Sequence, residues 1–152
     1  MAAVLPHAAI HHVGSTSVPG LISKPTIDVM VCVDSGARSQ DVVAALTSAG
    51  YEYRPRSFAG SPGGHLFFRV RKGARRQEHV HVVDGGSGLA RDYLAFRDSL
   101  RAHPAEADAY AAAKLRLLQE SGGDRALHVD NKIPVVDAMM AAARQWYDAQ
   151  VN

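Results

Sequence analysis

Residues 26–33, TIDVMVCV, constrain the fold more than any other stretch of this chain. β-Branched side chains are stiff at χ1 and pack well on a pleated surface, so the run reads as a buried strand. A strand's period of two places Ile27, Val29, Val31 and Val33 on one face. Asp28, Met30 and Cys32 lie on the other.

Around this strand the pattern changes character along the chain. Ala8–Val13 reads as a short strand ending at Gly14, and Gly14–Pro25, rich in Gly, Ser, Thr and Pro, as a loop or a very short helix. Gln40–Ala49 reads as a helix stopped by Gly50, with a short strand at Tyr51–Arg54. Ser57–Gly64 is a loop; His65–Arg71 and Glu78–Val83 form a hairpin around Lys72–Gln77. After the turn DGGSG the periodicity becomes helical: Leu89–Arg101, His103–Glu120, and a last helix from an Asp130 N-cap to Tyr147, with Pro134 in its first turn. Leu115, Leu118, Val135, Val136, Met139 and Met140 read as helix–helix core. The expected class is α/β of the α+β type: a small mixed sheet packed with helices, the helical part forming the C-terminal half of one domain over residues 1–152.

Hydrophobic residues at 47% and charged residues at 21% are ordinary for a globular chain and exclude a disordered, collagen-like or disulfide-scaffold protein. No apolar run has the length of a membrane helix, and MAAVLPHAAIHHVG is no signal peptide. A lone cysteine, Cys32, fits a reducing cytoplasm and reads as a small buried apolar residue. The formal net charge is only +2, yet Arg54, Arg56, Arg69, Arg71, Lys72, Arg75 and Arg76 follow one another with no intervening acid. That stretch is either a solvated hairpin tip or a surface for an anionic partner. Nucleic acid is the weaker partner, because no aromatic residues interleave with the bases and no helix carries a basic reading face.

The chemistry concentrates in HHVGSTSVPGLISKPTIDVMV. Gly14 lets backbone approach a ligand closely. Exposed N–H groups and the hydroxyls of Ser15, Thr16 and Ser17 suit phosphate oxygens. Asp28 on the next strand suits a divalent cation beside them, and Lys24 adds positive charge. On Glu78–Val83, period two puts His79 and His81 on one face and Glu78 and Val80 on the other. Taken alone, this HxH is either a pair of hydrogen-bonded structural histidines or two metal ligands.

GSTSVPGL, SKP and ID resemble the signature of the GrpB family, and the resemblance continues through GYEY, LFFRV, EHVHVV, YLAFRDSLRAHP and AYAAAKLRLL, from Ile10 to Lys132. It implies a nucleotidyltransferase-like fold in a bacterial-type domain, and the family also occurs fused to dephospho-coenzyme A kinase. The resemblance also implies a further helical segment before the first strand, as members usually carry, which is missing or shortened here. Its shortness here would leave an apolar face for a second subunit, a homodimer, to cover. The wider fold has a Gly-Ser pair, then a strand with two carboxylates two residues apart, then a third carboxylate on a neighbouring strand. Gly14-Ser15 and Asp28 match; Met30 stands in the second carboxylate's place, and His79 and His81 in the third's. The resemblance thus implies an Asp28/His79/His81 set, suited to Zn, Fe, Mn or Ni rather than Mg alone.

Arg69 shares parity with His65 and Phe67 and either reaches a ligand's anionic part, pairs across strands with Glu78, or is exposed to solvent. One of His11 and His12 faces the sheet in a structural role. Arg97, Asp98 and Arg101 lie within about one helical turn; Arg97 and Arg101 share a face and either clamp a phosphate or form helix-surface or interhelix salt bridges. Lys114 and Lys132 match family lysines that would neutralise a nucleotide triphosphate. Three readings follow. The first is a nucleotidyltransferase-like transferase binding a nucleotide or other anionic small molecule with a metal ion. The second is a mononuclear metal enzyme built on Asp28, His79 and His81. The third is a non-catalytic accessory or ligand-sensing domain.

Overall fold

The computed structural model describes residues 2–58, 64–72, 76–120 and 125–151; the side chains of residues 71, 72, 76 and 125–135 are outside the described set. The elements are β1 (Ala9–Val13), a 3-10 turn (Ser15–Ser17), β2 (Thr26–Val33), α1 (Ser39–Ser48), β3 (Glu52–Tyr53), β4 (Leu66–Lys72), β5 (Arg76–Asp84), α2 (Gly88–Ala102), α3 (Pro104–Glu120) and α4 (Arg125–Val151). No helix among the described residues is long and apolar enough to cross a membrane. The chain divides into two compact units, one of residues 1–17 and 23–93, the other of residues 18–22 and 94–152.

The first unit is a five-stranded mixed sheet of order β1-β2-β5-β4-β3. β2 and β5 are parallel, so the chain crosses over between them; the remaining neighbours are antiparallel. The register places Asp28 beside His79, Met30 beside His81 and Cys32 beside Val83. The opposite face carries Val29, Val31, Val80, Val82 and Phe68, and α1 packs on it through Val42 and Leu46, with Val4, Leu5 and Ala8 adding to the same cluster. α1 ends where the sequence places its stop. The Tyr51 N–H donates to the Leu46 carbonyl and the Gly50 N–H to Thr47, with Gly50 at φ +89°. This is a Schellman closure, which requires the left-handed conformation glycine adopts at no steric cost.

The second unit is helical. Val18, Leu100, Ala107 and Tyr110 form its core, with Leu21, Phe96, Val136 and Met139 packed around them. In two places the helices differ from the sequence expectation. Leu115 and Leu118 are 44% and 46% exposed, because α3 buries the phase of Ala107, Tyr110 and Leu117 instead. Lys114 lies on that same phase. Its ammonium lies over the Tyr110 ring, Nζ 5.0 Å from the centroid, and donates to the Ile22 carbonyl at 3.0 Å. Secondly, α4 starts at Arg125, so Pro134 is interior and not in a first turn. The ring removes one intrahelical donor without ending the helix.

Candidate functional site

The site lies on the sheet face opposite α1, where β2 and β5 run side by side. Parity aligns Asp28, His79 and His81, and β4 adds Phe67 and Arg69 on the same side, with His65 just before its first residue. Both β5 imidazoles meet one oxygen. His79 Nδ1 is 3.2 Å from Asp28 Oδ1, and His81 Nε2 is 3.5 Å from the same atom. Burial alone would raise the Asp28 pKa, but the two imidazole contacts outweigh it and hold the carboxyl at about 2.

The Gly14 backbone presses on this carboxylate. A Cβ at position 14 would lie 2.5 Å from Asp28 Oδ2, and Gly14 has φ +70°. The close approach expected of this glycine is therefore directed at Asp28. Its carbonyl accepts the Ser17 hydroxyl at 2.6 Å, which turns this buried side chain back onto the loop. Thr16 Oγ1 and His12 Nε2 are 2.9 Å apart. Ser15 is half-buried, and Lys24 is exposed.

Arg69 and Arg54 both donate to Glu52, a partner on β3 that the sequence reading did not identify. Arg97 holds Asp98 through two nitrogens, at 2.7 and 3.0 Å, with Arg101 at 3.9 Å, so Asp98 occupies the pair considered as a phosphate clamp. The side chains of Arg71, Lys72, Arg76 and Lys132, and all of Arg75, lie outside the described residues.

Behind His81 is a layer that parity alone does not reveal. His65 Nε2 is 2.9 Å and the Tyr93 hydroxyl 3.1 Å from His81 Nδ1. Tyr93, on the first turns of α2, has no local sequence signal; its position depends on the 84–87 turn. There Ser87 caps α2, its hydroxyl accepting the Ala90 N–H. Phe58, at φ +61°, stacks on His65 with ring centroids 4.4 Å apart. Burial, and then Asp28's charge, raise the Tyr93 pKa, so the hydroxyl stays protonated.

His65 is 8% exposed. Burial, and then the neighbouring His81, push its pKa from 6.5 down to about 4. Between these values the unfolded chain binds more protons than the folded one. The stabilising effect of a neutral His65 is thus complete above pH 6.5 and is lost as pH falls towards 4. The expected loss is about 3 kcal/mol at full shift. Urea unfolding at pH 7.5, 5.5 and 4.2 should show it, and His65→Phe should flatten the slope; an unchanged slope in the variant would assign it to other groups. Asp28 adds a second loss below pH 3.8.

The donor set is one carboxylate oxygen and two imidazole nitrogens, the chemistry of a borderline divalent ion. Two ligands held about 2.0–2.1 Å from a tetrahedral ion lie roughly 3.3 Å apart, and the two spacings to Asp28 Oδ1 are of this size. The donor types, and the two spacings to Asp28 Oδ1, are compatible with such an ion. Among the described residues, however, no group of three or more His, Cys, Asp or Glu side chains forms an assembled metal site. Met30, fully buried beside His81, provides no second carboxylate.

Fold and site together define a mixed α/β protein whose five-stranded sheet carries an Asp/His/His cluster. The sequence model of the GrpB protein family matches residues 1–142, and the chain belongs to that family. A UPF0157 protein of Streptomyces coelicolor is 37% identical over 134 residues, 88% of this chain and 68% of the relative. A UPF0157 protein of Pseudomonas aeruginosa is 37% identical over 146 residues, 93% of this chain but 58% of its own length. The crystal structure of conserved protein GrpB from Enterococcus faecalis superposes with a TM-score of 0.78 at 29% identity, covering 96% of this chain and 87% of that one. A dephospho-CoA kinase of Mycolicibacterium paratuberculosis is 30% identical over a gapped alignment of 162 positions, which covers 92% of this chain and 40% of the kinase.

Proposed function

We propose that this chain is a metal-dependent enzyme with a single ion at Asp28, His79 and His81, acting on a small anionic substrate such as a phosphorylated compound or nucleotide. The observation carrying this reading is the convergence of both imidazoles on Asp28 Oδ1, at 3.2 and 3.5 Å. A bound Zn, Fe, Mn or Ni ion would polarise the substrate's anionic group and activate a water. Asp28 supplies the negative ligand and stays ionised across the physiological range. His79, with its side chain 31% exposed, forms the open side of the centre, while His81 is buried behind it. Ser15 and Thr16 supply polar groups of the loop next to Asp28, and Lys24 and Arg69 supply positive charge on the same unit.

Nucleotidyl transfer is a second reading, supported by the Gly14–Ser15 turn standing directly against Asp28. A dephospho-CoA kinase among the relatives is compatible with a nucleotide-like ligand. The buried Met30 weighs against a two-ion version of this chemistry, which needs carboxylates bridging both ions. Turnover decides between these and an accessory role. Protein loaded separately with Zn²⁺, Mn²⁺, Fe²⁺, Ni²⁺ or Mg²⁺ is assayed against phosphate monoesters and nucleoside triphosphates. The single-ion reading predicts product with a transition ion and at least a ~100-fold loss in Asp28→Asn. Product with Mg²⁺ and triphosphates alone would favour nucleotidyl transfer. Turnover unaffected by Asp28→Asn, or none with any ion, would contradict both.

A further inference from the structure

We propose that His65 and Tyr93 are positioning residues that let His81 present its Nε2 lone pair to an ion, by holding its proton on Nδ1. This rests on the single-ion reading above. A neutral imidazole has one N–H and one lone pair, and a metal-binding histidine normally gives its other N–H to a fixed acceptor. His81 Nδ1 faces two such groups, His65 Nε2 at 2.9 Å and the Tyr93 hydroxyl at 3.1 Å. Its Nε2, on the far side of the ring, points to Asp28 Oδ1.

Both partners can accept or donate. A neutral imidazole nitrogen does one or the other according to tautomer, and a phenol oxygen does both. Without an ion, the His81 proton sits on Nε2 facing the carboxylate, and Nδ1 accepts from Tyr93 or His65. With an ion on Nε2, the proton sits on Nδ1 and is donated to the same neighbours. A single fixed donor, such as a lysine, would satisfy only the first arrangement. The rings enforce the alignment: His65 and His81 have centroids 5.1 Å apart, and His81 and Tyr93 5.2 Å. His65 and His81 are both buried, so water does not readily replace a lost partner.

The test uses the full chain, with Zn²⁺ alone as the probe. Zn²⁺ affinity is measured by chelator competition, and the His81 tautomer by long-range ¹H–¹⁵N correlation before and after loading. In the wild type, the His81 proton should move from Nε2 to Nδ1 on loading. His65→Phe/Tyr93→Phe should bind Zn²⁺ about 10–100-fold more weakly. Tyr93→Phe, which removes only the hydroxyl, should lose less, and His65→Gln, which keeps a two-way partner, should recover most of the His65→Phe loss. Thermal melting identifies any variant that does not fold, and Tyr93→Phe then carries the comparison. Wild-type affinity in the folded double or single hydroxyl variants, or a loaded His81 with no Nδ1 proton, overturns the positioning role and leaves the single-ion reading standing. No Zn²⁺ uptake by the wild type overturns that reading, and the positioning role with it.

Discussion

Gly14→Ala should lower stability by about 2–5 kcal/mol and remove ion binding at the same time. Two costs combine. At φ +70° an alanine takes the left-handed conformation, which costs roughly 1–2 kcal/mol for an L-residue. The new Cβ also lies 2.5 Å from Asp28 Oδ2 and 3.1 Å from Asp28 Cβ and Cγ, and relieving such overpacking typically costs about 1–3 kcal/mol. The carboxylate can escape only by moving, which pulls Oδ1 away from His79 and His81. Gly20→Ala isolates the first cost: Gly20 has φ +78° and no atom within 4 Å of the corresponding Cβ. Thermal melting of the two variants, with Zn²⁺ titration of each, separates the contributions. Gly14→Ala should melt several degrees below Gly20→Ala and bind no ion. Equal melting points and retained binding would show that the Gly14–Asp28 contact matters to neither stability nor site.

The sheet was legible because strand parity is a local property. Alternation in TIDVMVCV and in the HVHV run assigned each side chain to a face, and β2 and β5 preserve those faces. The register that sets Asp28 beside His79 is a long-range property, with no signal in either segment; it was accessible only through the GrpB resemblance. Tyr93 and Glu52 escaped notice for the same reason. Tyr93 reaches His81 through a capped turn and the phase of α2, and Glu52 meets Arg69 through the β3–β4 pairing. Leu115 and Leu118 were misread because small alanines around them leave the phase of α3 ambiguous. The buried phase is set by Ala107 and Tyr110, which pack against Val18 and Leu100. Ser17, an expected phosphate ligand by composition, donates to the Gly14 carbonyl, a local bond typical of a short hydroxyl in a tight turn.

Where a two-ion site would place a carboxylate, a fully buried thioether, that of Met30, lies beside His81. A thioether is a poor ligand for hard ions. Imidazoles and one carboxylate instead favour a borderline transition ion, with His65 and Tyr93 arranged behind His81.

The most direct test is ion stoichiometry by elemental mass spectrometry. Tag-free wild-type protein and His79→Ala/His81→Ala are loaded with Zn²⁺, Mn²⁺, Fe²⁺ or Ni²⁺ and passed through gel filtration. Removing two of three ligands should leave Asp28 unable to retain an ion through the column, a loss of well over 100-fold in affinity. The wild type should retain close to one equivalent of a transition ion and the double variant almost none. Failure of the wild type to retain any of these ions, or equal retention by both proteins, would contradict the single-ion reading.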